Sequence, residues 1–336
     1  MSLSDPTVRL VIDGQYESIC RRSKPNGAYR DGQIVIDPEM LNPDWLVLFQ
    51  PNTKRLVTQV PPARRMLMVG EPSALSVWST EYVNQFGIIL SPYRIEGHRG
   101  QWIQSHPGLP WFFGWNRRHQ TVVSYEDLAL MKPPEKLNAV SVVVSRKVIQ
   151  EGHRNRLSFL DKLVNRLGDR LQIFGRGIRE VDDKMDAILP YRYHLALENT
   201  IEKNYWTEKL SDAFLGFSLP LYAGCPNVDQ WFARDSMVTL DLADHGRAAE
   251  QVERVLDEDI YDSRVAAIRR SRECVLENEN LFAVVARAVS QMRSHSELDT
   301  AVDDVIRPIP KARWTSRLRR EAYRMYHQMT VHVPAA

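Results

Sequence analysis

Between residues 138 and 242, short apolar runs alternate with stretches that carry apolar residues at helical spacing. The run NAVSVVVS is rich in β-branched residues, which is typical of a central strand of a parallel sheet. The predicted strands of this region lie at 138–145, 171–174, 194–198, 219–224 and 237–242. Helical stripes separate them, and further helical patterns run from about 246 to 294. Strands that alternate with helices imply a parallel sheet with covering helices, so the second half is predicted to be Rossmann-like.

The first half also contains short apolar runs, separated by loops with proline and glycine. These predicted strands lie at 8–13, 44–49, 64–70 and 87–92. The segment MKPPEK at 131–136 interrupts any regular element, and 336 residues exceed what one core usually organises. We therefore expect an α/β chain with an N-terminal domain of residues 1–134, a C-terminal domain of residues 135–305 and a final helix within 306–336.

The stretch 97–119 is rich in Trp, Gly, Pro and His, and its pattern is too irregular for a helix or a strand. Aromatic loops of this kind can cover a binding cleft. A packed surface loop explains the same residues equally well.

Composition excludes several classes of protein. With 44 basic and 42 acidic residues, the formal net charge of +2 gives no general nucleic-acid signal. Cys20, Cys225 and Cys274 are scattered, so neither a disulfide framework nor a zinc site is supported. The N-terminus lacks the layout of a signal peptide, and no apolar run approaches the length of a membrane span. These features predict a cytoplasmic protein.

The segment 311–333 has the pattern of a basic amphipathic helix. Such a helix could lie at an anionic membrane surface, as a peripheral contact. We favour the alternative, in which it packs back on the protein with a solvated basic face.

Polar side chains follow three of the predicted strands. They lie beyond the carboxyl ends of these strands, which is where ligands bind in open α/β sheets. Arg154 and Arg156 come after the strand at 138–145, and Asn199 comes after the strand at 194–198. The next helix then begins close to Tyr205, so that Lys209 lies in its first turn. A lysine is mildly unfavourable at that positive end, unless an anion binds there or Glu208 offsets the charge. Cations at adjacent strand ends suggest a bound diphosphate.

Other nucleotide motifs fit poorly. The segment FGRGIRE at 174–180 offers G-x-G, but position six is Glu180 and polar residues follow instead of a helix. A P-loop is absent from the sequence. The acidic DED at 257–259 lies in a helical pattern and is interpreted as a solvated face, so no metal site is predicted.

The segments LALENT, YWTEKLSDAF and LPLYAGCPN, within residues 195–227, resemble the donor-binding motif of family 10 glycosyltransferases, the α-1,3/α-1,4-fucosyltransferases. In that family an apolar strand leads into F-E-N-S, then Y-V-T-E-K, a D-A helix and P-V-Y-W-G-x-P. A weaker match extends upstream through HRNRLSFLDKL and FGRG.

The resemblance implies a GT-B fold, in which two Rossmann-like domains face each other across a cleft and the C-terminal one holds the nucleotide. It also implies metal-independent, inverting transfer from GDP-fucose to a glycan acceptor, without a cofactor. Tyr205, Glu208 and Lys209 would contact the donor, with Asn199 as the asparagine of the motif. The family's R-x-x-F-x-x-x-L pattern fits Arg156, with Arg154 as the alternative.

The resemblance further implies a carboxylate base in the N-terminal domain, soon after a strand. Glu71 follows the predicted strand at 64–70 in a G-E context that the family shows, and Glu96 and Glu126 are the other candidates. Two departures from the family are Ser145-Arg146-Lys147, where S-N-C or S-N-P is usual, and Glu71-Pro72-Ser73, where E-S-P is common.

Three alternatives stay open at this point. The same fold could use GDP-mannose or another sugar nucleotide, or the chain could bind nucleotide sugars or glycans without catalysis. A nicotinamide oxidoreductase is disfavoured, because the glycine fingerprint fails.

Overall fold

The computed structural model describes residues 5–12, 19–20, 22–24, 29–31, 34–37, 39–51, 54–76, 78–144, 151–293 and 304–308, with the backbone alone at 30–31, 75, 151–156 and 293. Within these ranges the chain forms two parallel sheets with helices packed on them.

The first half of the chain supplies eight strands within the described ranges. They are β1 (Thr7–Ile12), β2 (Tyr29–Asp31), β3 (Ile34–Ile36), β4 (Trp45–Phe49), β5 (Leu56–Thr58), β6 (Arg65–Met68), β7 (Ile88–Ser91) and β8 (Gln101–Gln104). Seven of them form one sheet in the order β2-β3-β1-β4-β6-β7-β8, in which only the β2–β3 pairing is antiparallel. The four strands predicted from apolar runs are confirmed as β1, β4, β6 and β7.

Strand β8 corrects the prediction for 97–119, because Gln101–Gln104 pairs in parallel with β7. This strand lies at the edge of the sheet, where only Ile103 is buried and both glutamines are exposed. An edge strand needs so few apolar residues that its sequence gives a weak periodic signal.

Four short elements complete the first part of the chain, and the last three of them lead from β8 to the second sheet. They are α1 (Thr80–Val83), β9 (Trp115–Asn116), β10 (Thr121–Val122) and α2 (Tyr125–Leu130). The strands β9 and β10 pair only with each other, in a two-residue antiparallel ladder.

The second half forms a five-stranded, wholly parallel sheet. Its strands are β11 (Leu137–Val143), β12 (Leu171–Phe174), β13 (Tyr191–Leu197), β14 (Leu219–Ala223) and β15 (Val238–Thr239). The order β12-β11-β13-β14-β15 is that of a doubly wound sheet, whose strand order reverses between β11 and β13. The Rossmann-like prediction is therefore confirmed. β15 is shorter than the predicted 237–242, because as an edge strand it pairs with β14 through two residues only.

Helices alternate with these strands. They are α3 (Glu151–Leu167), α4 (Lys184–Ile188), α5 (Glu208–Leu215), α6 (His245–Asp257), α7 (Tyr261–Glu273) and α8 (Leu281–Arg293). All of them except α4 lie where the apolar stripes predict. The five-residue α4 was not predicted, because the polar residues before it were interpreted as a stretch without a helix. A π-helical turn at Cys274–Asn278 joins α7 to the segment before α8, and β16 (Asp304–Ile306) pairs with β5.

The FGRG segment forms a closed turn instead of the start of a helix. Gly175 has φ of 128°, and a Cβ there would lie 1.7 Å from the carbonyl oxygen of Val144. The Gly177 N–H donates to the Glu180 carboxylate at 3.1 Å. Glu180 therefore closes the turn at the position where a dinucleotide site needs a third glycine.

Packing crosses the predicted boundary between residues 134 and 135 in both directions. Trp111, Phe113 and Leu128 belong to the core of the second sheet, whereas α8 packs into the core of the first. The boundary itself stays a prediction. The basic segment 311–333 lies outside the described residues.

The carboxyl ends of the two sheets face each other. The Ser73 N–H, after β6, donates to the Glu202 carboxylate at 3.1 Å. Asn204 donates from Nδ2 to the Pro92 carbonyl oxygen at 2.9 Å, and its Oδ1 accepts from Gln104 Nε2 at 2.9 Å. The predicted α/β architecture of two facing units, the GT-B type, is confirmed.

Candidate active site

The end of β13 is tied to the start of α5 by one buried carboxylate. Glu198 directly follows the strand, and its carboxylate accepts from the Thr207 N–H at 2.8 Å and from the Thr207 hydroxyl at 2.8 Å. Thr207 is the N-cap of α5, and its hydroxyl oxygen accepts from the Lys209 N–H. Since a buried carboxylate without partners is costly, these bonds fix the strand-to-helix corner.

Lys209 lies in the first turn of α5, as the sequence predicts. Its Nζ is 3.1 Å from the Thr207 hydroxyl oxygen, 3.1 Å from Glu208 Oε1 and 3.5 Å from Glu198 Oε2. Two carboxylates thus offset the lysine charge at the positive end of the helix. The side chain keeps 24% of its surface exposed, so it stays accessible to a ligand.

Glu208 and Glu198 have opposite pKa shifts. Burial alone would raise the pKa of Glu208, but Lys209 and Lys184 lower it to about 2. Burial raises the pKa of Glu198, and the charge of Lys209 lowers it in part. Glu208 therefore carries a full negative charge at neutral pH.

A second ion pair beside this corner escaped the sequence analysis. Lys184 Nζ, on α4, lies 2.8 Å from Asp212 Oδ2 and 3.8 Å from Glu208 Oε1. The Asp212 Oδ1 accepts the N–H groups of Phe112 and Phe113 at 2.9 and 3.0 Å. Asp212 was visible as the acid of the D-A helix, whereas nothing in the sequence marked Lys184.

Tyr205 and Glu71 come from the two facing sheets. Burial raises the pKa of the Tyr205 phenol well above its usual value, and four carboxylates raise it further. In order of effect they are Glu198, Glu71, Glu208 and Glu202. Glu71 lies in a bend three residues after β6, and its backbone carbonyl accepts from the Tyr93 hydroxyl at 3.3 Å. The Ser73 N–H, two residues after Glu71, donates to the carboxylate of Glu202, three residues before Tyr205, so the two loops lie against each other.

Asn199 and Asn204 play different parts in the loop between β13 and α5. The Oδ1 of Asn199 is buried and has no hydrogen-bond partner among the described residues. Asn204 has φ of 63° and bonds to the opposite half of the molecule through Pro92 and Gln104. Sequence reasoning missed Asn204, although an asparagine in a polar loop tolerates this left-handed backbone well.

His106 supports the same loop from the first half of the chain. Its ring stacks on Trp206 with ring centroids 4.2 Å apart, and its Nε2 lies 3.0 Å from Glu279 Oε2. Its Nδ1 accepts from the Gly108 N–H at 3.1 Å, which puts the proton of the neutral ring on Nε2. The aromatic stretch 97–119 thus packs against the residue next to Tyr205.

The remaining predicted residues lie apart from this corner or are described only in part. Arg154 and Arg156 belong to the beginning of α3, whose side chains lie outside the described part up to residue 156. Glu96 lies on an exposed loop after β7, and Glu126 lies in the first turn of α2.

A small cavity opens where the strand order reverses. It is lined by the ends of β11 and β13 together with Lys184, Lys209, Asp212 and His194. Ligands of doubly wound sheets bind outside this point. In the described ranges no group of three His, Cys, Asp or Glu side chains is arranged to hold a metal ion. No helix there is long and apolar enough to cross a bilayer.

Residues 133–263 match the family model for the C-terminal domain of glycosyltransferase family 10 (fucosyltransferase). A fucosyltransferase-like protein of Arabidopsis thaliana is 34% identical over 109 residues, which is 31% of this chain and 20% of that protein. The chain therefore spans about a fifth of the length of this curated relative.

Two groups of solved structures are similar over most of the chain. A crystal structure of an α1,3-fucosyltransferase with GDP has a TM-score of 0.47 at 15% identity, covering 84% of this chain and 94% of that one. A UDP-forming trehalose-phosphate synthase from Burkholderia vietnamiensis has a TM-score of 0.47 at 9% identity, covering 87% of this chain and 100% of that one.

Proposed function

We propose that this chain, whose residues 133–263 belong to glycosyltransferase family 10, transfers fucose from GDP-fucose to a hydroxyl of a glycan. The observation that carries the proposal is the family match across the segment that contains Asn199, Tyr205, Glu208 and Lys209. Their location at the carboxyl end of a doubly wound sheet supports a nucleotide ligand.

In the proposed complex the donor lies between this corner and the start of α3. Lys209 contacts the diphosphate, together with Arg156 or Arg154 and the positive end of the α5 dipole. Asn199 supports this arrangement, since its buried Oδ1 has no partner among the described residues and can accept from a donor hydroxyl. Glu208, ionised at neutral pH, can accept from ribose or sugar hydroxyls.

The proposed reaction is a direct displacement with inversion. The acceptor oxygen attacks the anomeric carbon, the bond from that carbon to the phosphate oxygen breaks, and the electron pair leaves with GDP. Glu71 takes the proton of the acceptor hydroxyl. Cations and the positive end of α5 stabilise the departing diphosphate, so the proposal needs neither a metal nor a cofactor. The contact of the Ser73 N–H with Glu202 supports this role, because it places the loop that carries Glu71 against the loop before Tyr205.

A cytoplasmic location and a contact of 311–333 with an anionic membrane surface remain predictions. The acceptor is proposed only as an oligosaccharide or surface glycan.

A mass-spectrometric transfer assay tests this function, with GDP-fucose and GDP-mannose each crossed with a panel of glycan acceptors. We expect transfer from GDP-fucose, and we expect Glu71→Gln to reduce it by about a hundredfold or more. Glu96→Gln and Glu126→Gln are the matched controls and should retain transfer. Lys209→Met should weaken GDP binding about tenfold, because the diphosphate loses a charged donor.

Thermal stabilisation by GDP separates binding from chemistry. Glu71→Gln should still be stabilised by GDP, since only the acceptor proton is affected. Normal turnover in that variant would remove Glu71 from the mechanism. Stabilisation by GDP without transfer to any acceptor would favour a non-catalytic binding protein instead.

A further inference from the structure

A cavity of about 190 Å³ lies at the β7–β8 edge of the first sheet, outside the segment that matches the family. One water molecule needs about 10–15 Å³ of such space, so the cavity has room for one small ring with its substituents. The lining combines two apolar side chains with cationic and aromatic groups. It consists of Ile89, Arg94, Ile95, His98, Gly100 and Trp102.

Arg94 supplies this cavity with a cation that has no acidic partner among the described residues. Its guanidinium lies over the Trp102 ring, 5.1 Å from the centroid. Stacking uses the face of the guanidinium and leaves the N–H groups at its edge free to bind an anion. Because the planar group is already held by the ring, binding a carboxylate orders little additional side chain.

Trp102 is itself held in place. Its Nε1–H donates to the Ser91 hydroxyl oxygen at 3.0 Å, and the Ser91 hydroxyl donates to the carbonyl of Tyr93. Ser91 is fully buried. The Trp102 ring on which Arg94 stacks is therefore hydrogen-bonded to the last residue of β7.

His98 adds an acceptor for hydroxyl groups. Its Nε2 lies 2.9 Å from the Phe86 carbonyl oxygen. A carbonyl oxygen only accepts, so in the neutral ring the proton is on Nε2 and Nδ1 carries a lone pair. The half-buried ring lines the cavity, and Nδ1 is its nitrogen that can accept from a ligand hydroxyl.

The cavity is joined to the predicted base by a short segment. Tyr93, next to Arg94, donates its hydroxyl to the backbone carbonyl of Glu71 at 3.3 Å. The loop that carries Arg94 is therefore hydrogen-bonded to the loop that carries the predicted base.

We propose that this cavity binds a carboxylate-bearing sugar unit of the acceptor, with Arg94 on the carboxylate and His98 on a ring hydroxyl. A neutral sugar would leave the Arg94 guanidinium without a counter-charge. A small anion without a ring would make no contact with His98 or with the apolar side chains of Ile89 and Ile95. The acceptor role rests on the proposed transfer function, whereas binding of the acidic sugar does not.

Direct binding tests the site without any need for turnover. Ligand-observed NMR on the full chain compares glucuronate, glucose and acetate, with the wild type, Arg94→Gln and Arg99→Gln. Arg99 is an exposed arginine of the same loop that does not line the cavity, so it is the matched control. We expect glucuronate to bind the wild type and Arg99→Gln, and Arg94→Gln to bind it at least about tenfold more weakly. Equal binding of acetate, or unchanged binding by Arg94→Gln, would overturn the proposal.

Kinetics connect the cavity to transfer. Acceptors that end in a uronic acid are compared with the same glycans after reduction of the carboxyl to an alcohol. Arg94→Gln should raise KM for the acidic acceptor about tenfold and leave KM for GDP-fucose unchanged. Equal transfer to the acidic acceptor and to its reduced form would refute the acceptor site. The proposed transfer function would still stand. Glucuronate binding that depends on Arg94, in a chain that transfers nothing, would retain the site and refute the function.

Discussion

His194 is expected to make the folded chain acid-sensitive. It lies on β13 beneath the candidate active site, fully within the core, with its Nδ1 2.8 Å from the Ser141 hydroxyl oxygen. Burial lowers its pKa from 6.5 to about 3, and the charges of Lys184 and Lys136 add to the effect. The variant His194→Gln tests this group alone. Glutamine keeps a polar side chain but binds no proton between pH 7 and pH 5.

The loss of stability follows from the difference in proton binding at His194 between the unfolded and the folded chain. Below pH 6.5 the unfolded chain binds a proton at this imidazole, whereas the folded chain does not until pH falls to about 3. Stability is therefore lost as pH falls from 6.5 towards 3. Between pH 7 and pH 5 this single group lowers the free energy of unfolding by about 2 kcal/mol. Since pH 5 is well above the folded pKa, the value depends almost wholly on the pKa of the unfolded chain.

Urea unfolding at pH 7 and pH 5, followed by tryptophan fluorescence, measures this change. The loss of unfolding free energy between the two pH values should be about 2 kcal/mol smaller in His194→Gln than in the wild type. His119→Gln, at an exposed position, is the control and should behave as the wild type does. His106, also buried with a lowered pKa, contributes equally to all three proteins. An identical loss in the wild type and His194→Gln would refute the reasoning.

Two further predictions concern stability at the corner and at the glycine turn. Thr207→Val should lower the free energy of unfolding by about 2 kcal/mol, because Glu198 loses a hydroxyl donor and α5 loses its cap. Thr207→Ser keeps the hydroxyl, so a loss as large as that of the valine variant in urea unfolding would contradict this account. Gly177→Ala should cost about 1–2 kcal/mol through its positive φ alone, since no atom lies within 4 Å of the added Cβ. Gly175→Ala should cost clearly more in the same assay, because its Cβ would meet the carbonyl oxygen of Val144; equal losses would argue against that contact.

Central strands and the donor-motif corner could be predicted from the sequence, because both leave local signals. β14 and the end of β13 are buried on both faces, so they form apolar runs that the sequence shows directly. The first three residues of β13, 191–193, were not predicted, because Arg192 interrupts the apolar pattern. The first-turn position of Lys209 followed from the apolar stripe of α5. Edge strands left weaker signals, which is why β8 was missed and β15 was predicted too long.

Contacts between distant segments could not be predicted. Lys184 comes from a five-residue helix and reaches Asp212, 28 residues away, while Asn204 bonds to Pro92, 112 residues away. Such pairs depend on how α4 and the facing loops pack, and no local spacing encodes them. The proximity of Glu71 to Tyr205 could be expected only because both follow strands whose carboxyl ends were predicted to face a cleft.

The charges at the strand-to-helix corner decide whether the first-turn position of Lys209 indicates a bound anion. Three carboxylates and two lysines meet there, which gives an excess of one negative charge when all are ionised. They are Glu198, Glu208, Asp212, Lys184 and Lys209. Lys209 is therefore already neutralised within the protein, and its place in the first turn does not by itself require an anion. A diphosphate bound here needs cations from a second element, and α3 follows the neighbouring strand β11 with Arg154 and Arg156 near its start. In the proposed complex, recognition of GDP would therefore depend on two adjacent strand ends acting together. We expect removal of the arginines to weaken GDP binding more than removal of Lys209 does.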